Sequence, residues 1–178
     1  MGIATFLPYP STCGKTTFLP YRSTFLYLPT IQVVDAFRFV VEHESFKYLL
    51  KTDSDSLVCV KRLVRWLLQK NLPDTAVYAG DPQTYYRHLS EWPQGSKFKD
   101  DNYMRVFNQT NYSRYNLGGG YLLSHDVVQH VVTRASEGGF FPGGFYREAG
   151  LMPYMEDAFV GRLVGDSADM LDLPVTGR

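Results

Sequence analysis

Asp53 and Asp55 stand one residue apart where the apolar run of "FKYLLKTDSDSLVCV" (46–60) gives way to serines and acids. In extended chain, side chains alternate, so this spacing points both carboxylates the same way and Ser54 the other. Two carboxylates held together repel unless a cation lies between them. Oxygen donors with an open coordination sphere suit Mg²⁺ or Mn²⁺, which keep waters and take phosphate oxygens as further ligands. Zinc is disfavoured, because no Cys or His cluster accompanies the pair. Asp-Ser-Asp-Ser is also good turn and helix-cap chemistry, so the pair alone leaves both readings open.

Two further stretches carry chemistry of their own. "YSRYNLGGGYLLS" (112–124) sets Gly118, Gly119 and Gly120 directly before an apolar strand. Three consecutive glycines let backbone pass close to something bulky, or serve as a flexible lead-in to a hairpin. "MEDAFVG" (155–161) places Glu156 and Asp157 at the start of a helix, where the helix dipole favours ionised carboxylates. A third candidate fails. "STCGKTTF" (11–18) resembles part of a phosphate-binding loop, but the glycine required five positions before Gly14 is Tyr9.

The elements that must position these residues begin at Ile31. "IQVVDAFRFVVEHE" carries Val33, Val34, Phe37, Val40 and Val41 on one helical stripe. "SFKYLLK" follows as a short strand ending at Thr52. "VKRLVRWLLQKN" is a second helix, with Val60, Leu63, Val64, Leu67 and Leu68 inward and Asn71 and Pro73 ending it. "TAVYAG" is a strand closed by Gly80, and residues 81–117 read as polar and irregular. After "GGYLLS", Ser124 is placed to cap the helix "HDVVQHVVTRAS", ended by Gly138 and Gly139. A glycine-rich loop then leads to the last helix at "EDAFVGRLVGD". Strands alternating with helices imply an α/β architecture with a mostly parallel sheet, whose strand ends open onto a ligand crevice.

Before Ile31 the chain repeats itself: "TFLPYPST" (5–12) returns as "TFLPYRST" (17–24). Two near-copies make no solenoid, and the prolines favour extended chain, so residues 1–30 read as a biased segment outside the core. Balanced charge, 18 basic against 18 acidic residues, gives no electrostatic case for nucleic acid. Cys13 and Cys59 are too few for a disulfide framework and read as free. No apolar run approaches the roughly 20 residues of a membrane span.

In order, "KTDSDS", "YNLGGGYLLS" and "EDAFVG" resemble the β-1,3-galactosyltransferase family, glycosyltransferase family 31. Members carry a K-x-D-D-D-type metal motif, a Y-x-x-Y-x-x-G-G-G-Y-x-x-S segment and an E-D-V-x-x-G motif. Tyr112, Tyr115, Gly118, Gly119, Gly120, Tyr121 and Ser124 fall on the second pattern without a gap.

The resemblance implies a GT-A-like α/β sandwich that binds a UDP-sugar and Mn²⁺ (or Mg²⁺). It implies an inverting hexosyltransferase of protein glycosylation. Galactose or N-acetylglucosamine would pass from UDP to a glycan hydroxyl in β-1,3 linkage, on the lumenal side of the Golgi membrane. Asp55 would coordinate the metal, and Asp53 the ribose or the metal. Gly118, Gly119 and Gly120 would admit the donor sugar. Asp157 would be the base, with Glu156 orienting the acceptor. The sequons at Asn108 and Asn111 agree with a glycoprotein of the secretory route.

Departures shape a second expectation. Ser54 replaces the middle acid, Ala158 replaces the motif's valine, and no histidine follows His130. The repeat segment stands where members carry a uracil-holding portion and an upstream membrane anchor. The amino-terminal nucleotide-binding part therefore reads as incomplete, and residues 31–178 as a partial catalytic domain. Membrane association would need a segment absent from this chain. The alternative function is a catalytically inactive, truncated remnant of such an enzyme.

Overall fold

In a computed structural model, the fold is described for residues 2–7, 17–19, 29–53, 55–83, 91–93, 96 and 99–165. Cys13, Ser54 and most of "STCGKTTF" lie outside the described residues. Strand β1 (Gly2–Leu7) and strand β2 (Thr17–Leu19) precede helix α1 (Pro29–His43). Then follow β3 (Tyr48–Asp53), α2 (Val60–Lys70) and β4 (Tyr78–Gln83). Next come α3 (Asp101–Phe107), β5 (Tyr115–Ser124), α4 (His125–Glu137), the one-turn α5 (Phe145–Glu148) and α6 (Glu156–Val164).

The strands form one sheet in the order β2-β1-β3-β5-β4, and each pairing is antiparallel. This corrects the expectation of a mostly parallel sheet. The crossover through α2 does bring β3 and β4 into the same direction, as strand–helix–strand alternation requires. But β5 inserts between them, running against both. Alternation fixed direction and left adjacency open.

The repeat segment also differs from its expected place. Pieces of it, β1 and β2, extend the sheet on the β3 side, with Gly2 opposite Asp53 and Leu7 opposite Tyr48. Its phenylalanines and threonines suit extended pairing, which the proline count outweighed in reading the sequence.

Period-two alternation sorts the sheet's two faces. Leu49, Tyr78, Tyr121 and Leu123 point to one core, closed over by Phe37 and Val40 of α1, Val128 and Val131 of α4, and Phe159 and Val160 of α6. Tyr48, Leu50, Ala79 and Leu122 point to the other face, covered by Leu63, Trp66 and Leu67 of α2. Full burial of each such side chain contributes about 1.5–3 kcal/mol, so the first face carries most of the stability. On β3, Lys51 and Asp53 follow Leu49 on that same face, which brings them toward α6.

Helix α3 lies in the stretch expected to be irregular. Asp100 caps it, accepting from the Tyr103 backbone N–H at 2.9 Å, and Asn108 ends it in the left-handed region at φ 46–51° shared with Asn71 after α2. The Ser124 hydroxyl does not cap α4: it accepts from Val77 N and donates to Asp126 instead. Among the described residues, no helix is long and apolar enough to cross a membrane.

Candidate functional site

The site is built where the C-terminal end of β3, the glycines of β5 and the first turn of α6 meet. Lys51 sits directly opposite Tyr121 in the β3–β5 ladder, and both point at Glu156. The Lys51 ammonium, almost fully buried, lies 2.6 Å from Glu156 Oε2 and 2.7 Å from Asp53 Oδ1, and donates to Gly118 O at 3.0 Å. Tyr121 donates its phenolic hydrogen to Glu156 Oε1. Both oxygens of Glu156 are thus engaged.

Asp157 is held differently. Its Oδ2 accepts from the Gly118 backbone N–H at 3.2 Å and its Oδ1 from Ala158 N at 2.9 Å. A methyl group built on Gly118 would lie 3.3 Å from Lys51 Nζ, 3.4 Å from Asp53 Oδ2 and 3.6 Å from Asp157 Oδ2. The first glycine is therefore the point on which one ammonium and two carboxylates converge, and a side chain there would touch all three and press on the Lys51 ammonium. Among the described residues, Gly119 and Gly120 meet nothing nearer than 3.9 Å, so they are less constrained. Above the three glycines opens a cleft of about 770 Å³, lined by Asp53, Glu156, Asp157, Leu117 and Tyr154 among others.

Electrostatics separate the adjacent acids. Burial raises the pKa of Glu156, opposed by the Lys51 charge and by the hydrogen bonds of Lys51 and Tyr121. Burial also raises that of Asp157, opposed by the N–H groups of Ala158 and Gly118 and, more weakly, by Lys51. For Lys51, burial works against the charged form, but Glu156 and Asp53 outweigh it and its pKa rises. It is a fixed cation at neutral pH. Glu156 is its counter-ion, whereas Asp157 lines the cleft and, among the described residues, has no cation in direct contact.

Of the residues singled out in the sequence, Asp53, Gly118, Gly119, Gly120, Glu156 and Asp157 are brought together. Asp55 is not: β3 ends at Asp53, Ser56 N folds back onto Asp53 O at 3.1 Å, and Asp55 lies exposed in that turn. The extended geometry that would align the two carboxylates stops one residue too soon. Lys51, Tyr121 and Gly161 entered the sequence reading only as motif positions, with no role in the site. A lysine inside the apolar strand "YLLK" was the available signal for the first. Gly161 is the glycine of "EDAFVG": a methyl there would lie 2.5 Å from Tyr115 Cβ and 2.6 Å from Arg114 O. It lets α6 approach β5 closely enough for Glu156 and Asp157 to reach the glycines.

The Asp53 carboxylate is 45% exposed, with Oδ1 on Lys51 and Oδ2 toward the cleft. One carboxylate oxygen suits Mg²⁺ or Mn²⁺, which fill remaining positions with water and phosphate oxygens. Among the described residues, no group of three or more His, Cys, Asp or Glu forms a closed cage.

Residues 27–167, which hold this entire arrangement, match the family model described as Galactosyltransferase. No curated protein matches the chain.

Proposed function

Because the chain belongs to the galactosyltransferase family, we propose that it is an inverting β-1,3-hexosyltransferase. It moves galactose or N-acetylglucosamine from a UDP-sugar to a hydroxyl of a glycan acceptor. The observation that supports this most is the division of labour between adjacent acids: Glu156 spent on Lys51 and Tyr121, Asp157 left toward the cleft with its basicity raised.

A base beside the donor must take the acceptor's hydroxyl proton as that oxygen attacks the anomeric carbon. Asp157 is that base. The new C–O bond forms as the bond from the anomeric carbon to UDP breaks, UDP leaving with the electron pair. Gly118 N–H holds Asp157 in place, and the bare glycine backbone lets the donor sugar come close. Lys51 keeps Asp53 and Glu156 fixed on either side. Asp53 would hold Mn²⁺ or Mg²⁺, which would supply Lewis-acid stabilisation of the leaving diphosphate, with exposed Asp55 adding negative charge nearby. In this reading Glu156 orients Lys51 and Tyr121, and so acts on the acceptor only through them. Residues 31–178 carry a partial catalytic domain, which would work at the lumenal side of the Golgi membrane.

Calorimetry of UDP with and without Mn²⁺ tests the reading, on the intact chain and on Asp53→Ala and Asp55→Ala. The expected result is manganese-dependent binding that Asp53→Ala abolishes and Asp55→Ala weakens. Absence of UDP binding under every condition would instead establish the inactive remnant.

A further inference from the structure

The stretch that enters α6 is pinned to an unusual degree. The Asp100 carboxylate, fully buried, accepts from the backbone N–H groups of both Tyr154 and Met155, the latter at 2.9 Å. The Thr30 hydroxyl, also fully buried, donates to Pro153 O at 2.7 Å. Asn102 Nδ2 donates to Met152 O at 2.9 Å. Three buried polar side chains, from α1 and from the start of α3, thus immobilise four consecutive residues. Yet the Tyr154 side chain is not packed away. It is 53% exposed and lines the cleft two residues before Glu156.

A large aromatic ring left in water costs free energy that burial would recover. Here the backbone is fixed by buried carboxylate and hydroxyl hydrogen bonds, so the ring is held at the cleft without being covered. Leu117 of β5, itself exposed, and Pro29 line the same cleft. The wall is therefore two-sided in chemistry: apolar at Tyr154, Leu117 and Pro29, acidic at Asp53 and Asp157. A hexopyranose is two-sided in the same way, with a patch of C–H groups on a ring face and hydroxyls around its edge. Aromatic rings take the C–H face, and rigid carboxylates take the hydroxyls.

We propose that Tyr154 is the stacking platform for the acceptor sugar, setting its plane so that a ring hydroxyl faces Asp157. The proposal rests on the transferase reading of the cleft and adds the acceptor's contact surface to it. Asp100 is the positioning residue behind the platform, acting through the Tyr154 and Met155 backbone.

The test is saturation-transfer NMR of the full chain with lactose, methyl β-D-galactoside and methyl N-acetyl-β-D-glucosaminide as probes. UDP–Mn²⁺ affinity is measured in parallel. Wild type, Tyr154→Ala and Tyr154→Phe are compared, with thermal melts confirming that each is folded. The expected result is saccharide binding that falls about 3- to 10-fold in Tyr154→Ala and is retained in Tyr154→Phe, as loss of one aromatic contact implies. UDP affinity should stay unchanged in all three. Equal saccharide affinity across the variants, or no saccharide bound by wild type, would overturn the platform whatever UDP does. Saccharide binding lost in Tyr154→Ala without UDP binding by any variant would uphold the platform and sink the transferase reading instead.

Discussion

At Asp157 the direction of the pKa shift has a kinetic consequence. Burial raises it, and the N–H groups of Ala158 and Gly118 with the Lys51 charge only partly oppose that. The proposed base works ionised, so the rate should grow as pH rises through a value above the ordinary aspartate range and level off beyond it. The acid limb of a pH–rate profile for sugar transfer should therefore lie higher than for an unperturbed carboxylate. Asp157→Asn should erase the limb and lower kcat by roughly 10²- to 10⁴-fold, with UDP affinity kept. Removing the Lys51 charge should move the limb further up, because Lys51 favours the ionised acid. A limb at ordinary aspartate pH, or a transfer rate that Asp157→Asn leaves intact, would assign the base elsewhere. Two of the residues this argument needs, Asp157 and Gly118, stood out in the sequence by type and spacing. Lys51 stood there only as the first letter of "KTDSDS", since its pairing with Glu156, 105 positions away, shows only once β3 and α6 are packed together.

At the scale of elements, the position of α6 decides whether those residues meet. Seven residues of α6 are buried, and Gly161 is among them against the start of β5. Gly161→Ala would force a methyl to within 2.5 Å of Tyr115 Cβ and 2.6 Å of the Arg114 carbonyl, both attached to backbone that cannot step aside cheaply. Such overpacking typically costs about 1–3 kcal/mol, here by levering α6 off β5. Urea unfolding should show that loss for Gly161→Ala, together with weakened UDP binding. Gly119→Ala, whose methyl would meet Ser56 Oγ at 3.9 Å among the described residues, should shift stability by less than about 0.5 kcal/mol. Helices α1, α2 and α4 were legible because a long apolar stripe repeats in each. Helix α3 was not: its seven residues, DNYMRVF, are too few for a stripe, and its strongest signal is the single cap Asp100. Sheet direction was hidden for another reason. Local sequence specifies that β3 and β4 run alike, but which strand fills the space between them is a matter of packing across some 70 residues.

Across the whole molecule, the two faces of the sheet are covered very unequally. Helix α4 buries Val127, Val128, Val131 and Ala135, whereas α2 buries none of its residues. Its stripe is strongly apolar on one side, yet Leu68 remains 77% exposed, Leu57 before the helix is fully exposed, and a groove of about 670 Å³ is lined by Leu63 and Trp66 on one side and Leu50 and Leu122 on the other. Free energy for local opening follows buried apolar contact. The face holding α1, α4 and α6 should therefore open only with global unfolding, and α2 well before it. Native-state hydrogen exchange followed by mass spectrometry should show α2 amides exchanging orders of magnitude ahead of those in β3, β5 and α4. Because Lys51, Glu156 and Asp157 all lie on the well-covered face, these residues should stay protected while α2 opens. Protection of α2 equal to that of α4 would mean that the second face is as well packed as the first and that one cooperative unit spans the sheet.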